Sequence, residues 1–315
     1  MQVTDTRIDG HMMAMHISTD HAELIVLIEM GPRIISLKRR GGTERMFRNL
    51  VTNPDYAETG WRGMGGARPW ASDGEVCDEG IRAYAQDNGP CEVSTSDDRQ
   101  VVTVWGAIDP RFMIQRGFEI RKNNHWGFDV TSLLKNCSQG GMPLQGGMWA
   151  VAAVDFGETG STTLGILTGK PDSNWQVGDY RIIWDWAGHH TQPEFISDQL
   201  AIAKGLVCVT PKGFEGKLMA NSPLGTIVVQ NDDTSFFKVI QCDPRLNSLL
   251  PGRCNTAVYT CGQFAESETM GPTTFVEAGN VLRHTERWAL YEPVGWNVDG
   301  LNNIAISIAS DGIPA

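Results

Sequence analysis

Two acids stand one residue apart in Ala265-Glu266-Ser267-Glu268-Thr269-Met270-Gly271-Pro272, within a segment of strand composition. Strand side chains alternate between faces, so Glu266 and Glu268 project from the same side of the sheet they join. Like charges so placed repel unless water, a cation or a ligand attends them. Such pairing also raises one member's pKa towards the working pH, which suits proton transfer. Glu266 is the first candidate for a general base, with Glu268 beside it. The plainer alternative is a solvated strand that happens to carry two acids.

Far earlier, Met64-Gly65-Gly66-Ala67-Arg68-Pro69-Trp70 opens a polar stretch from Gly63 to Val93 that reads as one long loop. A loop of that length in a compact domain is usually functional. Arg68 offers a planar fork of donors and the Trp70 indole packs on the apolar side of a pyranose, so the two would clamp a hydroxylated or carboxylated ligand. An Arg stacked on Trp only to pin the loop is the rival reading. Midway along the chain, Trp184-Asp185-Trp186 runs into His189 and His190. Either imidazole would supply an acid or a metal ligand, with Asp185 as partner and Trp186 as a sugar platform. Alternation lets at most one of the two histidines face a groove. His125 beside Trp126 is a further histidine, whereas packing accounts for His284 and Trp288. Arg181, Arg245 and Arg253 lie in or beside loops, where solvation is the default. The seven cysteines are dispersed without CxxC or zinc spacing, so no metal centre is expected.

The elements that must position these residues read as strands almost throughout. Glu23 to Ile28 and Arg33 to Leu37 flank Gly31-Pro32 and form a hairpin signal. Further strands are predicted at 101–105, 113–120, 126–134, 163–168, 181–186, 226–230, 236–242, 256–264 and 284–291. Only Pro193 to Lys204 has a helical look. Many strands with turn punctuation predict an all-β, large antiparallel sandwich, and the even spread of Pro and Gly predicts a single domain over residues 1–315.

Composition narrows the function classes. With 41% hydrophobic and 20% charged residues the chain is an ordinary globular one, and its 35 glycines suit a turn-rich fold. A formal charge of −11 argues against nucleic acid or an anionic membrane surface as partner. No apolar run is long enough to span a bilayer, no leader pattern opens the sequence, and the odd cysteine count predicts reduced thiols in a cytoplasmic protein. No GxGxxG after a strand, P-loop, HExxH or GxSxG occurs, so no cofactor is expected.

Three stretches together resemble the galactose mutarotase-like (aldose 1-epimerase-like) superfamily. The first is the hairpin with Gly31-Pro32-Arg33-Ile34. The second is Gly65-Gly66-Ala67-Arg68-Pro69-Trp70 with Asp87-Asn88-Gly89-Pro90. The third is Glu266-Ser267-Glu268-Thr269-Met270-Gly271-Pro272 followed by Ala278-Gly279-Asn280 and Glu286-Arg287-Trp288-Ala289-Leu290. The last two are most similar to the domain-of-unknown-function 4380 branch. That resemblance implies a β-supersandwich of two large antiparallel sheets with sugar bound in a groove on one face. It also implies Glu266 as general base, Glu268 where the mutarotases carry Gln, and Arg68 as a contact to sugar hydroxyls. Two positions depart from the pattern: Ala67 stands where the branch has His, and Gly147-Met148-Trp149-Ala150 lacks the mutarotase general-acid His.

The expected function is therefore carbohydrate-directed, with a sugar or oligosaccharide as ligand. A sugar isomerase of aldose 1-epimerase type would use Glu266 as base and His189 or His190 as acid, with Arg68, Trp70, Glu268, Asp185 and Trp186 binding substrate. One alternative is a lyase performing β-elimination on a uronate, for which Arg68 and a base such as Tyr84 would serve. The other is a non-catalytic carbohydrate-binding protein.

Overall fold

The computed structural model describes residues 1–10, 12–49, 63–72, 89–141, 143–156, 160–169, 179–186, 188–243, 246 and 249–310; Trp61, Tyr84, Asp87, Asn88, Trp175 and Arg245 lie outside them. Strands β1 (Gln2–Ile8), β2 (Met12–Ser18), β3 (Ala22–Leu27), β4 (Arg33–Arg39) and β5 (Gly66–Ser72) follow one another across the first half of the larger sheet. The chain then builds one side of a second sheet with β6 (Glu92–Thr95), β7 (Val101–Asp109), β8 (Ile114–Lys122) and β9 (Gly127–Asn136). It returns to the larger sheet with β10 (Leu144–Val154), crosses again for β11 (Thr163–Leu167), and reaches the larger sheet's far edge with β12 (Asp179–Ile183).

A short ribbon, β13 (Asp185–Trp186) and β14 (His189–His190), leads into β15 (Leu200–Ala203) and β16 (Leu206–Val209) of the second sheet. Strand β17 (Gly216–Asn221) joins the larger sheet, and β18 (Thr226–Gln230) and β19 (Ser235–Ile240) the second. Strands β20 (Thr256–Thr260) and β21 (Ala265–Met270) complete the centre of the larger sheet, and β22 (Thr274–Val276) adds to β10. The long β23 (Val281–Tyr291) runs between β19 and β9, and helix α1 (Val298–Ser310) closes the described chain. Every pairing is antiparallel, giving 11-stranded and 10-stranded sheets among the described residues, as the all-β expectation required. No helix there is long and apolar enough to cross a membrane.

The main core lies between the two sheets, where Ala152, Val154, Leu218, Val258 and Ala265 of the larger sheet meet Phe128, Val130, Phe236 and Trp288 of the second. The hairpin expected at Gly31-Pro32 is present: β3 pairs with β4, with a bulge at Ile25/Val26. Three expectations are corrected. The segment around Arg68 is not loop but β5, all seven of its residues buried and paired to β10. Its apolar residues do not alternate with polar ones, and Pro69 occupies a ladder position that central strands normally exclude, so neither strand signal was present. The predicted helix from Pro193 to Lys204 is helical over 193–199 and then gives way to β15, because Leu200 to Ala203 find ladder partners in β16. Conversely, α1 forms where no helix was expected. The Asn297 side chain accepts from the Gly300 N–H at its start, and Leu301, Ala305 and Ile308 fall on one face against Phe237 and Ala289.

A buried polar network also bridges the sheets. Lys238 Nζ lies 2.8 Å from Glu286 Oε1 and donates to the Ser267 carbonyl at 2.8 Å. The Thr269 hydroxyl donates to Glu286 at 2.6 Å, so its single proton is used and it accepts from His284 Nε2 at 2.8 Å. Burial, against the opposing pull of Glu286, pushes the His284 imidazole down to about 4. A histidine whose folded pKa is depressed binds fewer protons folded than unfolded, so stability is full above the unfolded value near 6.5 and falls as pH drops towards 4. Thermal unfolding from pH 7 to 4 is expected to show this loss, at most about 3 kcal/mol from His284 alone, and His284→Gln should make the decline shallower. Identical pH slopes in the two proteins would remove the histidine from the account.

Candidate functional site

The register of the larger sheet brings the sequence candidates together. Opposed residues share a face, and two rows run across β5, β10, β21, β20 and β17. One carries Arg68, Val151, Glu268, Ala257 and Met219; the next carries Gly66, Ala153, Glu266, Tyr259 and Lys217. A third contact in the same periodicity sets Trp70 opposite Trp149 and Trp149 opposite Met270. All point away from the main core. They form instead a separate outer-face cluster around Trp70, Trp149, Val151, Met219 and Ala257.

Arg68 and Glu266 meet on that face. The guanidinium Nη2 donates to Glu266 Oε1 at 2.6 Å, reaching across β10 where Gly66 and Ala153 leave room. Its carbon sits 4.1 Å from the centre of the Trp70 ring, so the indole covers the cation's flat side. Glu268 has its own partners: Trp149 Nε1 donates to Oε2 at 2.6 Å and Lys217 Nζ stands 3.6 Å away. Lys217 in turn lies over Trp149 at 4.9 Å and over Trp186 at 5.8 Å. Arg68, Lys217, Glu266 and Glu268 are all 5% exposed or less, so the strand's two acids are not solvated. Each carboxylate faces a cation, so their mutual repulsion is offset by an equal number of positive charges.

At one side of this floor the β13–β14 ribbon contributes a second set. Trp186 pairs with His189, and their rings stack at 5.8 Å. His189 Nδ1 donates to Glu215 Oε1 at 2.8 Å, and the Tyr259 hydroxyl donates to the same oxygen at 2.8 Å. The bond to Glu215 uses Nδ1, so Nε2 of His189 faces away from that carboxylate. Tyr259 is directly opposite Glu266 across β20–β21, and its phenol is pushed well above the usual range by burial, with Glu215 and Glu266 adding to the effect. It therefore stays protonated and remains a donor. Asp185 and His190 oppose each other on the ribbon's other face, both exposed, and are not brought to the floor. Among the described residues no group of three or more His, Cys, Asp or Glu is placed to hold a metal ion.

Lys217, Tyr259, Glu215 and the contact of Trp149 with Glu268 were not found from sequence. A signal existed for Lys217: it is the lone cation in the otherwise apolar run Gly216-Lys217-Leu218-Met219-Ala220, where a strand reading would have placed it inside. Glu215 and Tyr259 had no such mark, because their relation depends on the pairing of β17 with β20.

No sequence-family model matches this chain, and no curated protein matches it by sequence. Solved structures do. A galactose mutarotase-like protein from Lactobacillus casei is similar with a TM-score of 0.57 and 14% identity, over 88% of this chain and 100% of that one. A galactose mutarotase-like protein from Clostridium acetobutylicum gives 0.56 and 10%, over 93% and 99%. The galactose 1-epimerase of Lactobacillus acidophilus gives 0.54 and 12%, over 92% and 98%. Identities this low speak to backbone architecture, and the architecture is the supersandwich that the sequence motifs implied. The chain has the galactose mutarotase-like fold.

Proposed function

We propose that this protein acts on a free sugar or sugar derivative as an isomerase of the aldose 1-epimerase type. The reading is carried by one observation: Glu266 and Arg68, 198 residues apart in sequence, meet on the outer face of the larger sheet beside Trp70. In the proposed reaction Glu266 removes the proton of the anomeric hydroxyl. The anomeric C–O bond to the ring opens, and His189 Nε2 delivers a proton to the ring oxygen. Rotation about the bond to the aldehyde carbon and reversal of the transfers give the other anomer. Glu215 holds the imidazole by Nδ1, Tyr259 and Lys217 offer further donors, and the buried Trp70 and Trp186 hold Arg68 and His189 in place from the side. Within the fold, the Gly-Gly-Ala-Arg-Pro-Trp and Glu-Ser-Glu-Thr-Met-Gly-Pro segments support a place beside the domain-of-unknown-function 4380 branch.

A second reading, a sugar-binding protein without turnover, is favoured by the way both acids are held by cations. Fixed acceptors of that kind suit recognition of hydroxyls as well as proton transfer. Exchange spectroscopy of α and β anomers over a panel of aldoses and hexuronic acids separates the two. For the isomerase, Glu266→Gln should slow exchange by about 10²-fold or more while far-ultraviolet dichroism stays unchanged. Exchange equal to wild type would remove Glu266 from the mechanism, and binding without any exchange would establish the second reading.

The role of His189 has its own signature. His189→Asn is expected to lower exchange by about 10²-fold and to abolish one limb of the pH–rate profile, whereas His190→Asn should leave both rate and profile intact. Loss of activity in the His190 variant alone would reverse the assignment.

A further inference from the structure

A second cavity, with a volume near 560 Å³, opens at one end of the sandwich and shares no lining residue with the site around Glu266. It is bounded by the β2–β3 turn (Asp20, His21), the end of β4 (Arg39, Arg40), the β8–β9 turn (Trp126) and the end of β23 (Tyr291, Glu292). Its wall is a row of rings. Phe237, fully buried, meets Tyr291 edge-on at 5.6 Å; Tyr291 meets Trp126 at 5.2 Å; Trp126 meets His21 at 5.6 Å. The row thus runs from the core to an indole that is 48% exposed.

Trp126 is held there at some cost. Its φ is +62°, a conformation that bulky side chains rarely adopt. The turn is clamped on both sides: Asn123 Oδ1 accepts from the His125 and Gly127 N–H groups, and Asn123 Nδ2 donates to the Trp288 carbonyl. Gly127 leaves no room for a Cβ against that same carbonyl, so the turn sits tight on β23. The surrounding bonds thus fix a large, half-exposed ring in a backbone conformation it would rarely adopt alone.

We propose that this cavity is a saccharide-binding site, separate from the site around Glu266, with the Trp126 indole as its platform. Charge selects the ligand class. Asp20 and Glu292 balance Arg39 and Arg40, and Arg39 Nη1 is already within 3.1 Å of Glu292. A rim with equal numbers of acids and guanidiniums has no preference for an anion, yet it presents both acceptors and donors, as a neutral polyhydroxylated ring requires. The C–H face of a pyranose matches the indole, and the volume accommodates one to two sugar rings.

Titration of the whole protein with methyl β-glucopyranoside, methyl β-galactopyranoside and cellotriose, followed through tryptophan indole N–H resonances, tests this. Trp126→Phe assigns the resonance. At least one of the three sugars should move it saturably in the millimolar range. His21→Ala, read through the same resonance, and Trp126→Ala, read by titration calorimetry because the reporting indole is gone, should each weaken that binding at least about tenfold, and Glu266→Gln should leave it unchanged. The unchanged response in Glu266→Gln distinguishes this site from the other, whatever the fate of the isomerase reading. The proposal is overturned if no sugar shifts the resonance, if inorganic phosphate shifts it more strongly, or if it moves with protein concentration alone, which would mark the face as a contact between copies.

Discussion

The buried pairing of Arg68 with Glu266 is the interaction on which the arrangement of the outer face depends. It joins β5 to β21 over the intervening β10, and neither charge has water enough to stand alone. Removing one member of such a pair costs about 3–5 kcal/mol, because the other is left buried and uncompensated. Glu268 and Lys217 repeat the pattern one step along the sheet. Among the described residues the four most deeply buried charges there, Arg68, Lys217, Glu266 and Glu268, balance one another, so they can be covered together. The gain is geometric: carboxylate oxygens, an ammonium and a phenol stand in fixed positions before any ligand arrives, the condition under which hydrogen bonds and charges act most strongly on a reacting group.

The sandwich divides its work between two sheets and two faces. On the inner face of β21, Ser267 and Thr269 join Lys238, Glu286 and His284 of the second sheet. On its outer face, Glu266 and Glu268 join the site. The strand carrying the proposed base is therefore gripped from both sides by directional bonds, and its carboxylates inherit the rigidity of the core. The second cavity follows a related plan, since its exposed indole is indexed through Tyr291 to the buried Phe237.

Period-two alternation made Glu266 and Glu268 legible as a same-face pair, and the Gly31-Pro32 hairpin and the sandwich could be read from strand and turn composition. Arg68 could be named but not its setting, because a central strand spelled Gly-Ala-Arg-Pro-Trp-Ala-Ser breaks both the alternation and the proline rule. Lys217, Glu215 and Tyr259 were hidden for a different reason. Their meaning comes from cross-strand register among β17, β20 and β21, which separate stretches of sequence cannot express. His189 and His190 could not be ranked from sequence. In the ribbon the His189 ring stacks on Trp186, whereas His190 stands opposite Asp185, a difference that only the pairing of β13 with β14 expresses.

Strand β21 has a consequence for folding fidelity. Its successive residues alternate between two chemically distinct environments, acids outward and small hydroxyl or alanine side chains inward. A slip of one position against β10 or β20 would drive both carboxylates into the closed gap between the sheets, where Glu286 is already buried, and strand Arg68 and Lys217 without counter-ions. Mispairing here is self-penalising, so the residues assembled for the site also act as a proofreading device for the middle of the larger sheet.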